Sequence, residues 1–287
     1  MPEVSLSRGR GRGRELITAG AASLAAGAIP DPRREALGLL AASLGIGVAE
    51  VLLDPDYPIP PAAAAAFEGM IERRRAGEPR AYVVGEAGFR YLTLRCDRRA
   101  LIPRPESELL VDIVLERVAR GVAVDVGTGT GCLALSLARE GDFDQVLGID
   151  SEPGAVDLAR SNGARVRSPV RWLRGNLTAM LRSGSVDALV SNPPYLTESE
   201  YAALDPSVAA WEPRSALVSG PDGLAATRTL LGALGVLRSG GWVALEVDAG
   251  RAPRVASMAE AAGLGSVEIR PDLYGRNRYV VGQKEIS

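Results

Sequence analysis

From Gly121 to Val281 short apolar runs rich in Val, Ile and Leu alternate with helix-patterned stretches, and that alternation limits the fold more than any other feature. Strands are expected over Val122–Val126, Val146–Asp150, Val170–Leu173, Val186–Val190, Trp242–Val247, Val267–Arg270 and Arg278–Val281. Helices are expected over Cys132–Arg139, Pro153–Ser161, Leu224–Leu237 and Arg251–Ala262. Strands that are apolar throughout, separated by helices, form a parallel sheet buried on both faces, an α/β doubly wound architecture. The last two strands, joined by a turn over 272–277, are expected as an antiparallel hairpin at the sheet edge. In such sheets ligands bind beyond the carboxyl ends of the strands, where the winding reverses.

The first of those carboxyl ends carries Asp125-Val126-Gly127-Thr128-Gly129-Thr130-Gly131. Its glycines let the backbone turn sharply and come close to a ligand, while the following helix offers free N–H groups. A phosphate loop needs a lysine after its last glycine, and the only lysine is Lys284. A dinucleotide fingerprint fails because Cys132 follows where its final glycine belongs. The remaining reading is a methyltransferase loop for S-adenosyl-L-methionine. Asp150, at the end of the next strand, is placed to accept both ribose hydroxyls, though it also reads as a helix N-cap before Pro153. Asp125 is expected to engage either the loop or the donor's amino group.

At Val190-Ser191-Asn192-Pro193-Pro194-Tyr195 an apolar run stops at two prolines, which cannot donate to a sheet ladder. Taken alone, this is a strand-stopping turn. Beside a methyl-donor loop it is also a rack of acceptors. Asn192 Oδ1 and the Pro193 carbonyl can take the two hydrogens of a planar NH2 group, and Tyr195 offers a flat face to stack on it. Arg104 and Glu108, after the extended Leu101-Ile102-Pro103 segment, are expected to face the ligand, with Glu106 or Ser107 starting a helix over Leu109–Arg120.

The 287 residues suggest two domains. Residues 15–79 show helical periodicity punctuated by prolines and read as a helical domain of about four short helices that serves packing or partner recognition. Residues 80–99, with Tyr82-Val83-Val84 and Phe89 to Arg95, read as a linking β-hairpin, and 100–287 as the catalytic domain. The Arg/Gly stretch within 1–14 reads as a disordered leader, and Arg73-Arg74-Arg75 as a solvated helix face. A formal net charge of −2 disfavours a nucleic-acid partner, and the absence of histidine excludes His-based triads and His-ligated metal sites; no metal is expected. The apolar stretch Leu16–Ile29 is too short and Ala-rich to cross a bilayer, so the expectation is a cytoplasmic protein with no membrane partner, working as a monomer.

Taken together, the chain resembles the protein N5-glutamine methyltransferases that act on peptide-chain release factors. The resemblance rests on Arg73 to Pro79 with Tyr82, Leu101 to Glu108, Asp125 to Gly131, Asp150, Ser191 to Tyr195, Glu212-Pro213, Gly240-Gly241, Leu245-Glu246 and the segment Asp272 to Arg278. It implies a class I S-adenosylmethionine-dependent methyltransferase with a Rossmann-like seven-stranded sheet. It also implies a small all-α N-terminal domain that recognises class I release factors and methylation of the glutamine of their Gly-Gly-Gln motif, in translation termination. Asn192, Pro193 and Tyr195 would act in catalysis, and Asn192, Pro193, Pro194 and Tyr195 would bind substrate. The donor would lie against Arg104, Asp125, Gly127, Thr128, Gly129, Thr130, Gly131, Asp150, Asn176, Leu177 and Asn192. Ribosomal-protein glutamine methylation, adenine-N6 methylation of nucleic acid and a non-catalytic donor-binding adaptor remain the alternatives.

Overall fold

In the computed structural model, which describes residues 12–176 and 181–285, the Ala-rich stretch after Arg12 is helical. It forms α1 (Gly13–Ala26), followed by α2 (Pro32–Leu44), α3 (Val48–Leu53) and α4 (Pro61–Arg75). Proline occupies the first position of α2 and α4, where its missing N–H has no partner to lose. Gly45, at φ +69°, ends α2 in the left-handed conformation that glycine adopts without strain. The apolar faces meet in a core around Leu16, Leu24, Leu39, Leu40, Phe67 and Ile71. A methyl group on Gly20 would lie 2.6 Å from the Phe67 ring, so α1 and α4 approach through that glycine. Residues 1–11 of the expected leader lie outside the described residues, and its Gly13 and Arg14 already belong to α1.

Two expectations in this region are overturned. Tyr82-Val83-Val84 is not a strand but part of α5 (Arg80–Val84). Pro79 before it and Gly85 after it, at φ +80°, bracket one helical turn, and Arg73 donates to the Tyr82 and Val83 carbonyls at 3.0 and 3.1 Å, satisfying groups that a helix end leaves open. The arginine run is accordingly not one solvated face. Arg73 grips the buried Glu78 with two hydrogen bonds of 2.8 and 2.6 Å, and Arg74, only 14% exposed, pairs with Glu35 at 3.2 Å.

The chain divides into two compact units at Gly85/Glu86. The second begins with the hairpin β1 (Glu86–Phe89) and β2 (Leu92–Arg95), whose Phe89, Leu92 and Leu94 enter the same core as the main sheet. Arg90, in the hairpin turn at φ +48°, donates to Asp112 and Glu140 at 2.5–3.1 Å. After a 3-10 turn over Pro105–Ser107 come α6 (Glu108–Leu115), β3 (Val122–Val126), α7 (Cys132–Glu140), β4 (Gln145–Asp150), α8 (Pro153–Arg165) and β5 (Arg171–Arg174). Then follow β6 (Val186–Ser191), α9 (Glu198–Ala202), α10 (Pro206–Ala209), α11 (Ala225–Gly232), β7 (Leu237–Glu246), α12 (Ala252–Ala261), β8 (Leu264–Pro271) and β9 (Asn277–Lys284). The helix expected over Leu224–Leu237 stops at Gly232. Leu237 has already joined β7, paired with Val186.

The seven strands lie in the order β5-β4-β3-β6-β7-β9-β8. All are parallel as far as β7, and β9 runs antiparallel to both of its neighbours. Strand side chains alternate between two cores. On one face Ala123, Ala188, Val190 and Ala244 pack against α6 and α7, and on the other Val124, Val126, Leu189, Val243 and Leu245 pack against α11 and α12. The winding reverses between β3 and β6, with Asp125 opposite Val190, so Gly127 and Asn192 emerge side by side.

Candidate active site

A cavity of about 380 Å³ opens above that reversal. Gly127, Thr128, Gly129 and Thr130 form one wall with Asp150 and Asn176, the segment from Arg99 to Arg104 forms a second, and Asn192, Pro194, Pro213 and Ala216 close it from the β6 side. Gly127 and Gly129 take φ +75° and +55°, and a Cβ on Gly127 would meet nothing within 4 Å, since it would stand in the cavity. The loop is hung on the sheet by the Gly127 and Thr128 N–H groups, which donate to the Ile149 carbonyl at 2.8 and 2.9 Å. On the β6 side, Ser191 Oγ donates to the Val126 carbonyl at 2.6 Å.

Asp125 supports this wall from beneath and does not reach the cavity. Its Oδ2 accepts from Thr128 Oγ1 at 2.6 Å and from the Ala134 N–H at 3.2 Å, so of the two roles expected it engages the loop. Burial pushes its pKa up to about 7. Gly131 likewise lies behind the lining, with its α-carbon facing the Trp172 ring. Asp150 does reach the cavity. Its two oxygens accept from the Gly129 N–H and the Glu152 N–H, both at 3.0 Å, and burial raises its pKa. The Glu152 bond is a local turn contact, whereas the N-cap of α8 is Glu152 itself, so Asp150 is not the helix cap that the sequence also suggested. Asn176 lines the cavity, while Leu177 lies outside the described residues.

Asn192 and Pro194 line the cavity, whereas Pro193 is buried and Tyr195 is partly buried beside the lining. Asn192 Nδ2 donates to Ser107 Oγ at 2.9 Å, which leaves Oδ1 as the free end of the carboxamide. Arg104 lines the cavity and donates to the buried Glu212 at 2.6 Å, and the Ile102 N–H donates to the same carboxylate at 3.0 Å. Glu108 does not face the cavity. Its carboxylate accepts from the Arg90 N–H at 2.9 Å, because Arg90 folds back over the start of α6. Cys132 lines the cavity, but burial, then Asp125, push its thiol up to about 12, which rules out a thiolate nucleophile at neutral pH. No group of His, Cys, Asp or Glu suited to a metal occurs among the described residues.

Residues 15–85 match the family model for the PrmC N-terminal domain, and residues 105–208 that for the methyltransferase small domain. The release factor glutamine methyltransferase of Cereibacter sphaeroides is 40% identical over 94% of this chain and 97% of its own length. That of Deinococcus radiodurans is 40% identical over 93% and 96%. The chain belongs to the release factor glutamine methyltransferases. Among solved structures, the catalytic domain of hMettl16 matches with a TM-score of 0.56 at 14% identity, covering 78% of this chain and 82% of that one. A methyltransferase from Pyrococcus furiosus matches at 0.51 and 23% identity, covering 67% and 89%. These likenesses show the class I methyltransferase fold.

In this release factor glutamine methyltransferase, three further residues of the site were given no role by the sequence. Ser107 reads as a helix starter, yet its hydroxyl caps nothing and donates at 2.6 Å to Glu246 at the end of β7. Glu246 is 2% exposed, and burial pushes its pKa up to about 7. Glu212, 4% exposed, holds Arg104 and Ile102 in place. A signal was present for all three, since polar residues interrupt otherwise apolar or proline-bounded segments, but their partners are far away in sequence.

Proposed function

We propose that this chain transfers the methyl group of S-adenosylmethionine to the side-chain amide nitrogen, N5, of the glutamine in the Gly-Gly-Gln motif of class I release factors. The observation that carries this reading is Asn192, which shares a cavity with the glycine loop and Asp150 and whose Nδ2 is already engaged by Ser107, leaving Oδ1 as an acceptor.

The residues of the cavity fit the donor. Gly127 and Gly129 leave room for a ligand against the backbone, Asp150 has lone pairs left for ribose hydroxyls, and Asn176 can pair with the adenine amine. When bound there, the donor would supply an electrophilic methyl carbon with a neutral thioether as its leaving group. The chain's own residues must do the rest. An amide nitrogen is a poor nucleophile because its lone pair is delocalised into the carbonyl, so orientation matters more than a strong base. Asn192 Oδ1 and the Pro193 carbonyl would accept the two amide hydrogens, aim the nitrogen and stabilise the positive charge that develops on it. Tyr195 would stack on the amide plane. The proton then passes to water, since the chain has no histidine to receive it.

The helical unit would recognise the release factor, and the enzyme would work as a monomer in the cytoplasm, without nucleic acid. No helix among the described residues is long and apolar enough to cross a membrane. The test is methyl transfer from labelled donor to recombinant release factor, run beside ribosomal protein and DNA, with the modified residue located by mass spectrometry. Asn192→Ala should lower the transfer rate by about 10²–10³-fold and leave donor affinity nearly unchanged. Equal losses in both would count against the acceptor role.

A further inference from the structure

The carboxamide of Asn192 serves this chemistry only one way round. With Oδ1 toward the cavity it accepts an amide hydrogen, whereas the flipped group would offer N–H to N–H. Nothing in the shape of a carboxamide chooses between the two, so its partner must. That partner is Ser107 Oγ, which accepts from Asn192 Nδ2 at 2.9 Å and donates its own proton to Glu246 Oε2 at 2.6 Å. A hydroxyl that has given its proton to a carboxylate has only lone pairs left to offer. The three residues come from the end of β6, the turn before α6 and the end of β7. Tyr279, opposite Glu246 on β9, pins the same turn by donating to the Glu106 carbonyl at 2.6 Å. Ser107 and Glu246 are 3% and 2% exposed, so water cannot easily take over either bond.

We propose that Ser107 and Glu246 are positioning residues for methyl transfer: the Glu246 carboxylate sets the direction of the Ser107 hydroxyl, which locks Asn192 with its oxygen toward the substrate amide. This deepens the acceptor role given to Asn192 and rests on it. The lock depends on charge. Protonated, Glu246 would donate to Ser107, whose proton would swing to Asn192 and select Oδ1, drawing the acceptor out of the cavity.

Burial is the largest influence on Glu246 and raises its pKa. Ser107, Arg278 and Arg104 oppose that rise, Glu106 adds to it, and Tyr195 and Tyr279 are the other titratable groups facing it. With the group poised at about 7, the active ionised form is present above that value and is lost as the pH falls through it.

Transfer to a recombinant release factor is measured at saturating donor on both sides of pH 7 in wild type, N192A, S107A and E246Q, with donor Kd from calorimetry at each pH. The wild-type kcat should fall on the acid side. S107A and E246Q should lower kcat at high pH by about 10- to 100-fold, lose the acid limb, and keep donor Kd within about twofold of wild type, which also reports an intact fold. The lock is overturned if the wild type shows no acid limb, if E246Q retains one, if either variant keeps full kcat, or if donor binding falls in parallel with kcat. A wild-type enzyme that leaves the release factor unmethylated overturns both readings. An inactive N192A beside unimpaired S107A and E246Q overturns the lock alone.

Discussion

Asp125 carries a charge that the folded chain would sooner be without. It is 1% exposed, its Oδ1 has no hydrogen-bond partner, and its pKa stands at about 7 against an ordinary 3.8. A raised carboxyl pKa contributes stability that is complete below the unfolded value and is lost as pH rises through the folded one. Wild-type Tm should therefore fall as the pH rises from about 4 to about 7, and fall more than that of Asp125→Asn, by an amount on the order of a few kcal/mol in free energy. Parallel melting curves would contradict this. Gly127→Ala forces a left-handed φ on an L-residue and puts a methyl group into the cavity, and should weaken donor affinity about tenfold in a binding titration. The lining of the cavity was partly legible at this scale, because the glycine loop, the strand-end acid and the Asn-Pro-Pro turn that meet there each announce themselves locally. Ser107 and Glu246 do not, since neither has its meaning until folding brings the other to it.

Among elements, the strands of the main sheet were legible from apolar runs that have no polar face, while the short elements misled. Tyr82-Val83-Val84 favours a strand by composition, but a preceding proline, a following glycine and the reach of Arg73 make it helical. Tertiary partners override local preference most easily over a few residues. Arg90 shows how the hairpin is held to the helices that follow it. Its guanidinium is 13% exposed and faces Asp112 and Glu140, the latter 14% exposed. Arg90→Ala would leave Glu140 buried without its counter-charge and should cost about 3–5 kcal/mol, read as a lowered midpoint in urea. A loss below about 1 kcal/mol would place these pairs among ordinary surface contacts.

At the scale of the whole molecule, every residue lining the cavity belongs to the second unit, and each unit has a core of its own. Residues 86–287 alone should fold and bind donor with unchanged Kd while losing most methyl transfer to a release factor, through a raised KM if the helical unit does the recognising. Transfer by this fragment with a wild-type KM would remove that role. The hairpin linker expected over 80–99 is divided at Gly85/Glu86, because a turn of helix took the place of its first strand. The order of the sheet adds a constraint on synthesis. β9 is seated between β7 and β8, both made before it, so until residues 277–284 leave the ribosome the open flank of β7 stays bare and able to pair with other chains. A stop codon at the start of that stretch should leave an insoluble product and no trace of enzyme, however complete the pocket upstream.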